Sequence, residues 1–431
     1  MFFCYQSDVR KGRAQSSADD SVRRQIRSGD RAIIGFGLHS AAYSNPGYDL
    51  ISGSVFDTAT WAGVEIFAEG AMRGLFSVLF GAGVLLFTTG ANAKGAGLHY
   101  KRTFWLLVMG LFDAYILLWN GDILVTYALC GFFLYLLRNK SGKFLLVMAG
   151  SLILLISIFY GIIGFGLSAT KDASLVVNQA TEISEIDAET KMLAAQWDDF
   201  VKDYQPSAEK ISSELEQRRG SYASAFSFNF KKALEMHLFV VPVFMIWDSL
   251  AMMLLGMALY KFEVLQGGRS IAFYKKLAII GFSIGLSFNS YEVYRGLSTN
   301  FELTAIFAQM QPTYHIGRLG MAMGYIGVLV WFAKGVSFTG IKARLSAVGR
   351  MALTNYLMHS VICAVIFTGL GFGLVDMLSR TSLYLVVGCI WLFQLLLSPW
   401  WLKRYYFGPV EWLWRGLTYG RWPDIKRKTN E

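Results

Sequence analysis

Apolar residues gather into nine long runs separated by short polar stretches, at roughly 72 to 91, 103 to 119, 121 to 137, 144 to 167, 237 to 260, 271 to 290, 313 to 333, 351 to 374 and 383 to 402. A bilayer core of about 30 Å is crossed by about 20 mostly apolar helical residues, and only a helix or a closed barrel satisfies its own backbone there. The pattern therefore predicts an all-α, polytopic integral membrane bundle of about nine transmembrane helices. Lys94, Lys101 and Arg102 share one connection, and Arg138, Lys140 and Lys143 lie two connections later. Lys261, Lys275 and Lys276, then Lys334, Lys342, Arg344 and Arg350, then Lys403, Arg404, Lys426, Arg427 and Lys428 continue the alternation. Basic loops stay in the cytoplasm, so these sides and the C-terminus are expected inside, in a multi-pass protein of the bacterial inner membrane.

The remaining connections are expected to face the periplasm: the turn Trp119, Asn120, Gly121, Asp122, the stretch 168–236, the stretch 291–312 and the link near Asp376. Segment 168–236 carries Glu182, Glu185, Asp187, Glu189, Asp198, Asp199 and Asp203 with helix-permissive neighbours, and reads as one or two amphipathic extracytoplasmic helices. A solvated spacer is the alternative. The chain thus divides into a polar segment 1–32, membrane helices 33–167, the amphipathic segment 168–236, membrane helices 237–402 and an aromatic, basic tail 403–431. The start breaks the alternation. Arg10, Lys11, Arg13, Arg23, Arg24, Arg27 and Arg31 mark an inside segment, yet the run near Met72 should enter from outside. One crossing is missing, Ile33 to Tyr43 is too short to supply it, and residues 54–70 suit a helix lying at the surface. A shifted reading frame or misassigned start is the preferred cause.

Composition narrows the function classes. Of 431 residues, 54% are hydrophobic and 16% charged, and the net charge of +10 sits in loop clusters rather than along a groove, so nucleic acid is discounted as a partner in favour of the lipid bilayer. Cys4, Cys130, Cys363 and Cys389 form no Cys-x-x-Cys pair, which argues against structural disulfides and zinc. Phosphate-loop and zinc-protease motifs are absent. Oligomeric state is not encoded legibly.

Four blocks carry a resemblance: RGLFSVLFGAG from Arg73, LLWNGDILVTYALCGFFLYLLR from Leu117, GRMALTNYLMHS from Gly349 and FGPVEWLWRGLTYG from Phe407. Together they resemble the YeiB family of bacterial membrane proteins, a domain of unknown function, over about Ala41 to Trp422. The resemblance implies about ten helices in a complete member, the first being the missing one, and it more often places His where Asp113 stands. The family is in turn distantly similar to transmembrane acyltransferases, which implies transfer of an acyl group from cytoplasmic acyl-coenzyme A to a small-molecule or glycan acceptor outside; His39 is the candidate for their early His. A small-solute transporter, or a structural or regulatory membrane protein, is the alternative.

Arg73, Ser77 and Gly81 share a helix face that could hold an anion or serve snorkelling and packing. Asp122 suits an N-cap or a carboxylate handling an acceptor, with Asn120 beside it. Asp113, deep in a membrane helix, calls for an Arg or Tyr partner or a proton-relay role. Asn355, His359 and Cys363 recur every fourth residue, so His359 is a candidate base, with interhelical hydrogen bonding as the alternative. Arg350 and Arg102 are expected at the mouth of a cytoplasmic-side cavity as donor-binding cations. His315, Arg318 and His237 are expected around a periplasmic vestibule. Glu411 is expected to pair with Arg415 on a tail helix lying along the cytoplasmic interface.

Overall fold

A computed structural model describes residues 55–90, 93–180, 186–204, 208–299 and 301–427. The basic opening, His39 and the missing first crossing lie outside the described residues, as do Glu182 and Glu185. The described chain is helical: α1 Val55–Phe67, α2 Ala71–Thr88, α3 Ala96–Tyr115, α4 Ile123–Leu137, α5 Gly142–Gln179, α6 Ala188–Tyr204, α7 Ala208–Arg219, α8 Tyr222–Glu235, α9 Ile246–Lys261, α10 Ile271–Ser298, α11 Gln311–Lys334, α12 Thr339–Arg350, α13 Ala352–Phe367, α14 Arg380–Arg404 and α15 Pro409–Tyr419. Wider, π-helical turns at Met236–Met245 and Ile306–Met310 lead into α9 and α11. Each of the nine apolar runs coincides with a helix. Among the described residues, six helical stretches are long and apolar enough to span a membrane, and a seventh is reached if α12 and α13, bent by 76°, act as one.

Which helices face lipid follows from where the apolar side chains are left uncovered. Along α5, Leu154, Leu155, Ile158, Ile162 and Phe165 are exposed, a surface that water would not tolerate and hydrocarbon does. In contrast the first half of α4 is enclosed, with Ile123, Leu124, Tyr127, Ala128 and Cys130 in the main core beside residues of α2, α9 and α11. The α2–α9 crossing is close because each helix places a glycine against the other's backbone: a Cβ on Gly81 would strike the Met253 backbone, and one on Gly256 would strike Val78. Dispersion between such small-residue faces substitutes for the hydrophobic effect within a bilayer.

Two expectations change in the tertiary structure. The Trp119–Asp122 turn is not an exposed loop: Leu118, Trp119 and Asp122 are buried, and α4 begins beside Gly110, whose missing side chain leaves room for Asp122 Oδ2 and the Val125 amide. The end of α3 leading into the turn is held by α8, with Asn229 Nδ2 donating to Ala114 O at 2.8 Å and Tyr222 Oη to Ile116 O at 2.8 Å. The expected surface helix at 54–70 is α1, and it is tied to protein rather than lying free. Trp61 packs edge-on to Phe301, centroids 4.9 Å apart, and Asp57 accepts from Thr381 at the start of α14.

Candidate functional site

Three spanning helices bring charge to one buried point. Asp248 on α9 is held end-on by Arg318 on α11, with Arg318 Nη1 donating to Oδ2 at 2.5 Å and Nη2 to Oδ1. His315 Nδ1 lies 3.3 Å from Asp248 Oδ1, and Arg73 Nη2 on α2 lies 3.6 Å from Oδ2. Arg73 Nη2 also donates to Tyr314 Oη at 3.1 Å, and Tyr314 Oη donates to Glu69 at 3.3 Å. Arg318 is 1% exposed at its side chain and Arg73 21%, so Arg318 is the floor and Arg73 the mouth. Between thirteen and sixteen residues separate these charges from the basic ends of their helices at Lys261, Lys334 and Thr88. At the α-helical rise this is about 20–24 Å, well inside the bilayer and beyond its middle from the basic side.

The predicted stripe Arg73, Ser77, Gly81 therefore divides its work. Arg73 enters the charged cluster, Ser77 Oγ shares a 2.6 Å hydrogen bond with Tyr127 Oη, and Gly81 serves packing. The structure brings Arg73 to His315 and Arg318, two of the three residues expected around a vestibule, whereas the third, His237, stands apart, its Nδ1 3.2 Å from Tyr115 Oη. Asp248, Tyr314 and Glu69 were missed by sequence reasoning. An Asp inside the run 237–260 was itself a legible signal, since an isolated ionised Asp in hydrocarbon is costly and demands a cation.

Asp122, Asn355 and His359 gather around α13. Asp122 caps α4 by accepting from Val125 N at 2.8 Å, and accepts from Tyr356 Oη at 2.5 Å, while Ile123 N donates to Tyr356 Oη at 2.9 Å. Asn120 precedes it in the turn, half-buried. Asp113 is fully buried in α3, and its backbone carbonyl accepts Trp119 N at 3.1 Å. Asn355 Nδ2 donates to Val348 O and to Ser398 Oγ, both at 3.2 Å, and Gln394 Nε2 reaches Asn355 O. His359 is buried one turn further, and Cys363 packs with Val387 and Ile390 of α14. The stripe thus leans on α14.

Nor do Arg350 and Arg102 share a mouth. Arg350 Nη2 donates to Tyr406 O at 3.1 Å, whereas Arg102 lies with its guanidinium carbon 4.5 Å from the Phe87 ring and 4.3 Å from Trp414. Glu411 is not paired with Arg415 in a hydrogen-bonded sense; it accepts Leu353 N at 2.6 Å, Thr354 N at 2.9 Å and Thr354 Oγ1 at 2.5 Å, covering the orphan amides at the start of α13. Arg415 instead stacks on Phe407 at 4.4 Å. The tail helix α15 is consequently built into the protein, with Trp414 buried and its Nε1 donating to Arg102 O at 3.1 Å.

A small recess opens beside Arg102. Its walls are Phe80, Gly83, Val84 and Phe87 of α2, His99, Thr103 and Leu106 of α3, and Trp414. His99 Nε2 lies 2.9 Å from Gly131 O, which ties α3 to α4 there. Among the described residues no group of His, Cys, Asp and Glu is arranged to hold a metal ion.

The family described as "Protein of unknown function (DUF418)" matches residues 259–421. An uncharacterized protein YxaH of Bacillus subtilis (strain 168) is 30% identical over 360 residues, covering 82% of this chain and 81% of its own. An uncharacterized protein YeiB of Escherichia coli (strain K12) is 28% identical over 388 residues, 90% of this chain and 91% of its own. No solved structure matches significantly. With its apolar helical bundle and these relatives along most of its length, the chain belongs to the YeiB-like DUF418 family of membrane proteins.

Proposed function

We propose that this protein transfers an acyl group from a thioester donor, such as acyl-coenzyme A, bound at the basic side of the membrane, to an acceptor reached from the opposite side. The recess beside Arg102 carries the reading. It is lined by Phe80 and Gly83 of RGLFSVLFGAG, one of the four blocks that carry the family resemblance, and by an arginine held between two rings. A guanidinium binds phosphate in bidentate fashion. Phe80, Val84 and Leu106 supply an apolar floor for the acyl or pantetheine portion. Of the residues first considered for the donor side, Arg350 is held by the tail at Tyr406 O and Asn355 by α14, whereas Arg102 lines the recess and is given the donor role. Calorimetry with acetyl-coenzyme A on the purified protein is the test, with Arg102→Ala expected to weaken binding by at least about tenfold, the usual effect of losing a charge-assisted pair. Equal binding by both proteins, or none by the parent, overturns the reading.

Solute transport has one observation in its favour: the wide turns Met236–Met245, which include Pro242, and Ile306–Met310 interrupt the helices just before Asp248 and His315. Interrupted helices beside a buried polar site are a transporter device. Flux of a solute in proteoliposomes without thiol release from the donor would favour it. Under either reading the basic loops are taken as cytoplasmic and 168–236 as periplasmic. Labelling of a Thr190→Cys variant but not of a Ser141→Cys variant, by an impermeant reagent in intact cells, supports that sidedness, and the reverse pattern overturns it.

A further inference from the structure

Charge and hydrogen bonding in the outer cluster are balanced differently. Its charges cancel, with Arg73 and Arg318 set against Asp248 and Glu69. Its hydrogen bonds do not: His315 Nε2, Arg73 Nε and Arg318 Nε are buried with no hydrogen-bond partner among the described residues. Such groups are costly to bury unmet, so three in one cluster mark a place built for something else. Because Asp248 accepts and Arg318 Nη2 already donates to it, His315 Nδ1 at 3.3 Å from that carboxylate is the donating nitrogen. Nε2 is then an acceptor, and the two arginine Nε–H groups are donors. Aromatic rings flank the histidine: those of Tyr160 and Tyr314 each lie 5.4 Å from the His315 ring.

From these observations we infer that Arg73, His315 and Arg318 form a binding site for a neutral, hydroxyl-rich ligand, a sugar or sugar headgroup, entering past Arg73. A hydroxyl both donates to Nε2 and accepts from a guanidinium, and aromatic rings suit the apolar faces of a sugar ring. The balanced charges favour a neutral ligand over an anion, whose bare charge would meet Asp248 and Glu69. As the acceptor site this deepens the transfer reading and rests on it for that role only; the binding itself does not depend on it.

The test uses the full chain in nanodiscs and a glucoside carrying a diazirine beside the sugar, with crosslinked peptides mapped by mass spectrometry. Crosslinks are expected on the segments around Arg73, Asp248 and Arg318. Non-photoreactive octyl glucoside should compete, and a polyoxyethylene detergent of the same chain length should not. His315→Phe keeps a ring between the two tyrosines and removes the acceptor; Arg73→Gln changes the mouth while leaving the Asp248–Arg318 pair. In each variant, checked to be monodisperse, crosslinking should fall about fivefold or more, the scale of one lost hydrogen bond. Undiminished labelling in both variants, or equal competition by the polyoxyethylene detergent, overturns the proposal. Donor binding is read separately: failure of the parent to bind acetyl-coenzyme A would remove the transfer reading while the crosslinking result stands alone.

Discussion

Glu411 and Asp248 are both buried carboxylates in a protein made of apolar helices, but their partners differ in kind. Glu411 is satisfied by the backbone amides of Leu353 and Thr354 and by a neighbouring hydroxyl. Asp248 is satisfied by the side chains of Arg318, His315 and Arg73 from two other helices. Backbone donors cannot move without unwinding α13, so the Glu411 network is part of the fold. Side-chain donors can swing to a ligand and back, so the Asp248 network is the one able to exchange partners. Asp122 belongs with Glu411, since it accepts Val125 N and is steadied by Tyr356.

The largest expected effect is on the exchangeable network. Asp248→Leu leaves Arg318 buried without its counter-charge and should cost about 3–5 kcal/mol, read by unfolding in mixed detergent micelles. Asp248→Leu combined with Arg318→Leu should recover most of that loss, because both desolvated charges are then gone. A double variant as unstable as the two losses added would break the comparison. Glu411→Ala should cost about 3 kcal/mol, from one charged acceptor serving several donors, and no second side-chain substitution should rescue it. A rescue would show that the α13 network is exchangeable after all.

Tyr356→Phe removes the hydroxyl shared by Asp122 and the Ile123 amide and should cost about 2 kcal/mol, with α4 amides exchanging faster by hydrogen–deuterium mass spectrometry. The smallest effect is at Glu302, outside the spans, which mixes both partner types: Lys171 at 3.0 Å, the Thr304 hydroxyl, and the amides of Thr304 and Ala305. Burial raises its carboxyl pKa, but these hydrogen bonds outweigh burial and hold it below the ordinary value. A depressed pKa contributes stability that is present above the ordinary carboxylate value and lost as pH falls through the folded one. Glu302→Gln should therefore cost about 0.5–1 kcal/mol at neutral pH, the range for a partly solvated pair, and the gap to the parent should close under acid. A gap that persists at low pH would mean that the charge is irrelevant there.

Hydrophobic patterning placed nine apolar runs, each of which overlaps a helix of the bundle, because burial in hydrocarbon imposes a length and a polarity that are local in sequence. It also marked Arg73, His315 and Arg318 as charges that needed an explanation. It could not say that they meet. Asp248 and Arg318 are seventy residues apart and Arg73 is farther still, and a helical period fixes which residues share a face without fixing which helix that face will meet. The same blindness misassigned Glu411, whose neighbour four residues on was a plausible partner in sequence while the true donors lay at the start of α13. It also read 121–137 as an ordinary span, when α4 starts inside the protein beside Gly110. The sequence by itself determined the helical class and the apolar character of the bundle, since each helix must suit its solvent one residue at a time. Only the tertiary structure decided which polar groups are satisfied and which are left waiting, since that depends on the packing of distant helices.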